Sequence, residues 1–390
     1  MRSSRSWRAT VTPLASIIGS GFLVVAPLLG YTVGNWAVVA MLGIVTLAYA
    51  VGSAVRYNIV HLEEIHDSKE IGNGAKDAFA WLERIAKVAL SVAYVIAITF
   101  YLELLAAFVM RPFSIQDQIV QKMIASALIL FIGCFGFWRG LKQLELLEKY
   151  SVDTKLAIIA GFLVGLAIVN IDSLTTGSWA LSDLRVDWSI ETVRKLLGAF
   201  LIVQGFETSR YMGNVYGAAE RVETMRYAQL LAAAIYLLFI GLASMLLGEF
   251  DSISETGIID LSSDVAIIVP FMLVVGAAMA QFSAAVADTL ASGGLVETAT
   301  HAAVGHRKVY LGVMVLALAL LWSSHIFAII AYASRAFAAY YAIQCAMAAF
   351  HCALTQDGAR GVSRTLLFGA LSAAMILTAI FGIPAESVGG

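Results

Sequence analysis

The chain has 390 residues, of which 60% are hydrophobic and 13% charged, and its mean hydropathy is +0.84. Soluble domains carry about 25% charged residues, so a chain this apolar cannot cover its own surface with polar groups and must turn its exterior to lipid. A net charge of -2 supplies no basic field for nucleic acid. Cys134, Cys345 and Cys352 lie in or beside apolar runs, without the spacing of a disulfide framework or a zinc site.

A bilayer core of about 30 Å takes roughly 20 apolar residues per helix. On that ruler eleven spans are predicted, at 10–33, 35–56, 80–110, 119–138, 153–171, 192–213, 227–248, 265–294, 309–323, 326–352 and 364–383. The basic start (Arg2, Arg5, Arg8) leads into an apolar stretch from Val11 to Val33, long enough to cross, so it reads as span 1 rather than a cleaved signal. Spans 9 and 10 are separated only by Ser323, Ser324 and His325. Lysine and arginine concentrate on the side of the N-terminus, with Arg139, Lys142, Arg221, Arg307 and Lys308 among them. The other side holds Arg111, Lys122, Arg185, Arg194, Lys195 and the acidic stretch 249–264. That asymmetry predicts a multi-pass protein of the inner (plasma) membrane with its N-terminus cytoplasmic and, the span count being odd, its C-terminus outside.

Two spans carry glycine interruptions. Span 1 contains Gly19-Ser20-Gly21, and span 6 contains Gly205 in Val203-Gln204-Gly205-Phe206-Glu207. Each glycine costs a helix about 1 kcal/mol relative to alanine and lets the backbone leave it. Five spans begin at each interruption, and matched breaks in two halves point to a substrate site between inverted repeats near the midplane. Free N–H groups at the start of a half-helix suit a carboxylate, and carbonyls ending the preceding half suit an ammonium or a cation. Such a pair of ends is a receptor for a zwitterion; the alternative reading is a small-residue packing face.

The string Ile17-Ile18-Gly19-Ser20-Gly21-Phe22, preceded by Pro13 and followed by Ala26-Pro27-Leu28-Leu29-Gly30, resembles the first-helix signature of the amino acid–polyamine–organocation (APC) superfamily, I-I-G-(S/A)-G-I-F, less one isoleucine. Gly205-Phe206-Glu207 is similar to the family's G-F-E. Asp153-Thr154-Lys155-Leu156 opens span 5, where many proton-coupled members place a lysine. Ala285-Val286-Ala287-Asp288-Thr289 in span 8 is similar to the A-x-x-(S/T)-(S/T) sodium site of sodium-coupled relatives. The likeness covers about residues 10–350.

This resemblance implies an all-α, LeuT-type five-plus-five inverted repeat working by alternating access. It forms one transport domain over 1–390, with repeats at 10–171 and 192–352 and an extra helix at 364–383. It also implies a secondary transporter of a small organic solute, first an amino acid or related amine. By this likeness the N–H groups of Ser20, Gly21 and Phe22 would hold a carboxylate. The carbonyls of Ile17 and of Leu201, Ile202 and Val203 would hold the amine, with Ile18, Gly19 and Gly205 completing the breaks. Two departures leave another small amine or acid open. Leu201-Ile202-Val203 stands where the family often has an aromatic lid, and Arg210, Tyr211 and Glu220-Arg221 replace its acidic pair and Asn-Pro.

An ionisable side chain at membrane depth costs at least ~2.5–3.5 kcal/mol on insertion scales, so Glu103, Lys155, Glu207, Asp288 and Arg335 are expected to face a cavity or each other. Lys155 is either a snorkelling lysine or an ammonium standing where relatives bind sodium, its proton carrying the coupling. Asp288 could pair with Lys155 or hold Na⁺ with Ala285, Thr289 and span 1 carbonyls, so the coupling ion is H⁺ first and Na⁺ second. Glu207 is a second proton site or a hydrogen-bond acceptor for the unwound backbone. Arg335 is a counter-ion of Glu207 or Glu103, a substrate contact, or an interhelical ion pair without a role in transport. Tyr101 and Gln204 are further pocket candidates. Beyond solute and lipid bilayer no partner or cofactor is expected. The histidines (His61, His66, His301, His306, His325, His351) lie mostly in loops or at helix ends, and there is no HExxH or GxSxG, so transport rather than catalysis is expected. A sensor or channel on the same fold is the rival.

Overall fold

A computed structural model describes the chain except Met1, Ser20, Glu64, 66–71, 114–116, Leu141, 182–187, Asn214, 250–258, 260–268, 300–302, Asp357 and 384–390. The expected backbone amide of Ser20, most of the acidic stretch 249–264, and His66 and His301 therefore lie outside the described residues.

Among the described residues every regular element is helical. Span 1 is α1 (Arg2–Ile17) followed by α2 (Gly21–Val33), and spans 2 to 5 are α3 (Ala37–His61), α4 (Asn73–Met110), α5 (Gln118–Arg139) and α6 (Lys142–Thr176). Span 6 is α7 (Ile190–Ala199) followed by two 3₁₀ segments, Phe200–Val203 and Phe206–Met212. Spans 7 to 11 are α8 (Ala218–Ala243), α9 (Val269–Ala299), α10 (His306–Ser323), α11 (Ile326–Thr355) and α12 (Gly358–Phe381). Among the described residues a helix, broken in spans 1 and 6, stands at each of the eleven predicted positions. Both helices expected to break do so, at the glycines that predicted it. The short joint between spans 9 and 10 holds because Ser324 caps the end of one helix and His325 the start of the next, its Nδ1 accepting from the Ala328 N–H at 3.3 Å.

Several helices overrun their predicted bounds. α4 starts at Asn73 rather than 80, α6 at Lys142 rather than 153, and α1 at Arg2 rather than 10. The apolar ruler ends where the bilayer does, whereas the helix continues through charged residues that support it.

The outer faces are apolar. Val39, Leu42, Val92, Ile168, Ile171, Leu238, Phe271, Leu316 and Ile380 are all exposed, an arrangement stable only against hydrocarbon. Among the described residues, eight helices are long and apolar enough to cross a membrane by length and composition. Inside, α4 and α9 pack against each other, α9 also against α6, and α11 against α4 and α12. These contacts enclose the two broken spans. Cys345 and Cys352 are buried, Cys134 is partly so, and all three thiols are free.

Candidate functional site

The two breaks meet. A Cβ added to Gly21 would lie 2.5 Å from Ile202 Cγ2 and 3.0 Å from its Cα, so only glycine lets span 1 lie this close to span 6. Gly205 has φ of 111°, a conformation glycine adopts without strain. A Cβ there would lie 2.6 Å from the Ser16 carbonyl carbon. Each break therefore presses its glycine into the other span.

Tyr236 on α8 joins them. Its hydroxyl lies 3.0 Å from the Ile17 carbonyl and 3.2 Å from that of Ile202, donating one proton between two of the carbonyls expected to receive an amine. Phe22 turns its ring away from the break into α8, stacked on Phe239 with centroids 4.5 Å apart and tilted on Tyr236 at 5.5 Å. Its N–H reaches back to the Gly19 carbonyl at 3.4 Å, and the Ile18 N–H closes the last turn of α1 on Leu14 at 2.9 Å. Val203 is buried and Ile202 partly so. The side chain of Leu201 is outside the described residues.

Glu207, 1% exposed, bends back over the span 6 break. Its Oε2 accepts from the Gly205 N–H at 2.9 Å and from the Tyr341 hydroxyl of α11. Of the two readings of Glu207, the hydrogen bond to unwound backbone is thus present. Thr208 closes the other side, its Oγ1 donating to the Gly205 carbonyl at 2.8 Å. The ring of Tyr341 stacks on Phe206 at 4.9 Å. Tyr341→Phe would remove one donor from a buried carboxylate, so it is expected to cost about 1–2 kcal/mol, read as a lower midpoint of thermal unfolding in detergent.

Lys155 does not snorkel. It is 1% exposed, and its Nζ donates to the Ala15 carbonyl at 2.7 Å, so span 5 reaches the end of α1 as the resemblance implied. Asp288 is 3% exposed. Thr289 donates within its own helix to the Ala285 carbonyl at 2.6 Å. Tyr101 is 7% exposed and neighbours the Gln204 side chain, within the field of Asp288 and Glu207. Tyr94, two turns earlier on α4, neighbours the same two carboxylates.

Arg335 is corrected. Its side chain is exposed, and among the described residues it pairs with neither Glu207 nor Glu103. It lies one turn from Tyr332, which is 46% exposed, on the outward stripe of α11, while Phe337, Tyr340, Tyr341 and Gln344 fill the inward one. Glu103 is buried, and its backbone carbonyl accepts from Gln121 Nε2 at 3.3 Å.

Three side chains at this level escaped the sequence reading: Tyr236, Tyr341 and Gln281. The last is fully buried on α9, two turns before Asp288, with neither its amide nitrogen nor its oxygen bonded to protein. The oxygen of Gln204 is likewise buried without a protein partner. Buried carboxamides in that state require water or a ligand. A glutamine inside an apolar span was the available signal.

On the side of the N-terminus the bundle is latched by the residues that replace the family's acidic pair. Arg210 Nη2 meets Glu83 Oε2 at 2.7 Å, and Arg210 also donates to Gln344. Arg221 donates to Glu63 Oε1 and to the Arg210 carbonyl, both at 2.7 Å. Arg5 on α1 meets Glu220 at 3.3 Å. Spans 1, 6 and 7 are thereby tied to α4, α11 and the end of α3.

A family model for APC superfamily transporters matches residues 1–382. A protein of Aquifex aeolicus (strain VF5), named only as uncharacterized, is 42% identical over 346 residues, 88% of this chain and 84% of that one. Among solved structures, the Eremococcus coleocola manganese transporter aligns with a TM-score of 0.56 at 11% identity, over 95% of this chain and 86% of its own. MHP1, a nucleobase-cation-symport-1 family transporter closed on bromovinylhydantoin, aligns with a TM-score of 0.53 at 12% identity, over 97% and 91%. These likenesses establish the fold as LeuT-type. The match over residues 1–382 shows that the chain belongs to the APC superfamily of membrane transporters.

Proposed function

We propose that the protein is a secondary active transporter of a small organic solute, an amino acid or related amine first, working by alternating access with proton coupling. It is assigned no catalytic role. The observation that carries this reading is the buried ammonium of Lys155 on the Ala15 carbonyl, at the end of the half-helix that leads into the span 1 break. An ammonium there can stand in for a bound cation, and its gain or loss of a proton would loosen or restore the tie between span 5 and α1. Asp288 is a buried carboxylate on α9, a helix that packs against the α6 helix of Lys155.

An organic cargo fits the breaks better than a divalent metal. Hard divalent ions take carboxylate and carbonyl oxygens, usually six or more. The one carboxylate at the breaks, Glu207, is engaged by the Gly205 N–H and the Tyr341 hydroxyl, and among the described residues no group of three His, Cys, Asp or Glu is arranged to hold a metal. The manganese carriage named for one solved relative is therefore not assigned to this chain. The membrane is proposed to be the inner (plasma) membrane, with the N-terminus and its latch cytoplasmic. The repeats are proposed to run over 10–171 and 192–352.

The test is uptake of a panel of amino acids, amines and small organic acids by proteoliposomes, under an imposed pH gradient or an imposed sodium gradient. Saturable uptake of one class that follows the pH gradient is expected. Uptake that follows sodium alone would move the coupling to Ala285, Asp288 and Thr289, and unsaturated ion current would make the protein a channel.

A further inference from the structure

Two of the carbonyls that would receive a cargo amine already have an occupant. Tyr236 of α8 is fully buried. Its hydroxyl lies 3.0 Å from the Ile17 carbonyl at the end of α1 and 3.2 Å from the Ile202 carbonyl of span 6. A phenol has one proton to donate, so at any moment one of these two carbonyls goes without it. A primary ammonium carries three N–H donors, and its charge-assisted bonds are roughly twice as strong as neutral ones. The breaks also touch, Gly21 against Ile202 and Gly205 against Ser16. An amine that reaches both carbonyls therefore has to take the place of that hydroxyl. The ring that carries it packs at 5.5 Å on Phe22 of α2; Phe22 stacks on Phe239, which in turn meets Phe162 of α6 at 5.8 Å. Aromatic packing thus aims the hydroxyl between the two breaks.

We propose that Tyr236 determines which solutes are accepted: its hydroxyl stands in for the cargo amine, and only a cargo with at least two N–H donors displaces it. Two carbonyls need two donors, so a primary or secondary ammonium gains over the phenol. A deaminated acid brings no donor to this point, and a trimethylated ammonium brings charge without N–H. Both leave the hydroxyl where it is. Displacement costs the hydrogen bond that Tyr236 gives up, and every accepted cargo has to exceed that cost. The inference rests on the organic-amine reading above and narrows it to amines that retain N–H groups.

The test is calorimetric binding to the purified full-length protein, wild type and Tyr236→Phe. The probes are L-alanine, L-valine and putrescine, the deaminated acids propionate and isovalerate, and the N-trimethyl forms of the two amino acids. Phenylalanine keeps the ring against Phe22 and removes the competing hydroxyl. The variant is expected to bind an amine that the wild type accepts about three- to tenfold more tightly, the worth of a hydrogen bond no longer given up. Its affinity for the deaminated and trimethylated forms should stay at the wild-type level. Fluorotyrosine introduced in place of Tyr236 alone serves if Tyr236→Phe does not fold: its fluorine resonance should move on adding the amine and stay put on adding the acid. Unchanged or weaker amine binding by Tyr236→Phe, or a fluorine signal indifferent to the amine, would overturn the proposal and leave amine transport standing. A gain shared equally by all three kinds of probe would also overturn it, making Tyr236 a strut between the breaks. If neither protein binds any of the amines, the amine reading of the site falls and this inference falls with it.

Discussion

Lys155→Ala is expected to lower pH-gradient-driven uptake by reconstituted protein at least about tenfold, equivalent to some 1.4 kcal/mol or more. α1 ends at Ile17, so the helical partner of the Ala15 carbonyl would be the N–H of Gly19, beyond the last turn. The final carbonyls of a helix have no partner within it, and they form its negative end. Here the Lys155 ammonium supplies the missing donor from a neighbouring span at 2.7 Å. Alanine would leave that carbonyl buried and unpaired, a cost of about 1–3 kcal/mol. Lys155→Met keeps most of the side-chain length without the charge, so a parallel loss in both variants assigns the effect to the ammonium. Full proton-driven uptake by Lys155→Ala would remove the coupling role, and a switch to sodium dependence would show that the lysine occupies a cation site.

The elements of this fold that could be read from sequence are those with a local physical signature. Runs of about 20 apolar residues gave the spans. Gly19-Ser20-Gly21 and Gly205 gave the breaks, because glycine inside an otherwise strong helix needs a reason. The close approaches of Gly21 to Ile202 and of Gly205 to Ser16 are that reason. What escaped depends on partners remote in the chain. Tyr236 reaches Ile17 across 219 positions, and Tyr341 reaches Glu207 across 134. A tyrosine in a membrane helix carries nothing locally that separates such a contact from packing. Arg335 was misplaced for a related reason. Its charge argued for an interior position, but only the packing of α11 decides which stripe faces inward, and a long arginine can lie along an outer face and reach the interface. The arginines after span 6 looked like departures from the family pattern. Their role became legible only once Glu63, Glu83 and Gln344 were brought beside them.

Gly205→Ala is expected to abolish measurable uptake and to lower the thermal midpoint in detergent. Two independent costs add. A φ of 111° strains any residue with a Cβ by about 1–3 kcal/mol. The new methyl group would also stand 2.6 Å from the Ser16 carbonyl carbon and a similar distance from its side chain. Rotation of a side chain cannot relieve a clash with backbone, so α1 would have to move away from span 6. That shift would pull Ile17 from Tyr236 and carry Ala15 away from Lys155, which couples the break to the proposed ion site through one rigid half-helix. Gly241→Ala on α8 is the matched control, since a Cβ there meets nothing within 4 Å. It should be neutral or stabilise the helix by up to about 1 kcal/mol. If Gly205→Ala transported and melted like the wild type, the contact between the two breaks would not belong to the transport cycle. Loss of transport with an unchanged melting midpoint would instead confine the role of Gly205 to movement between states.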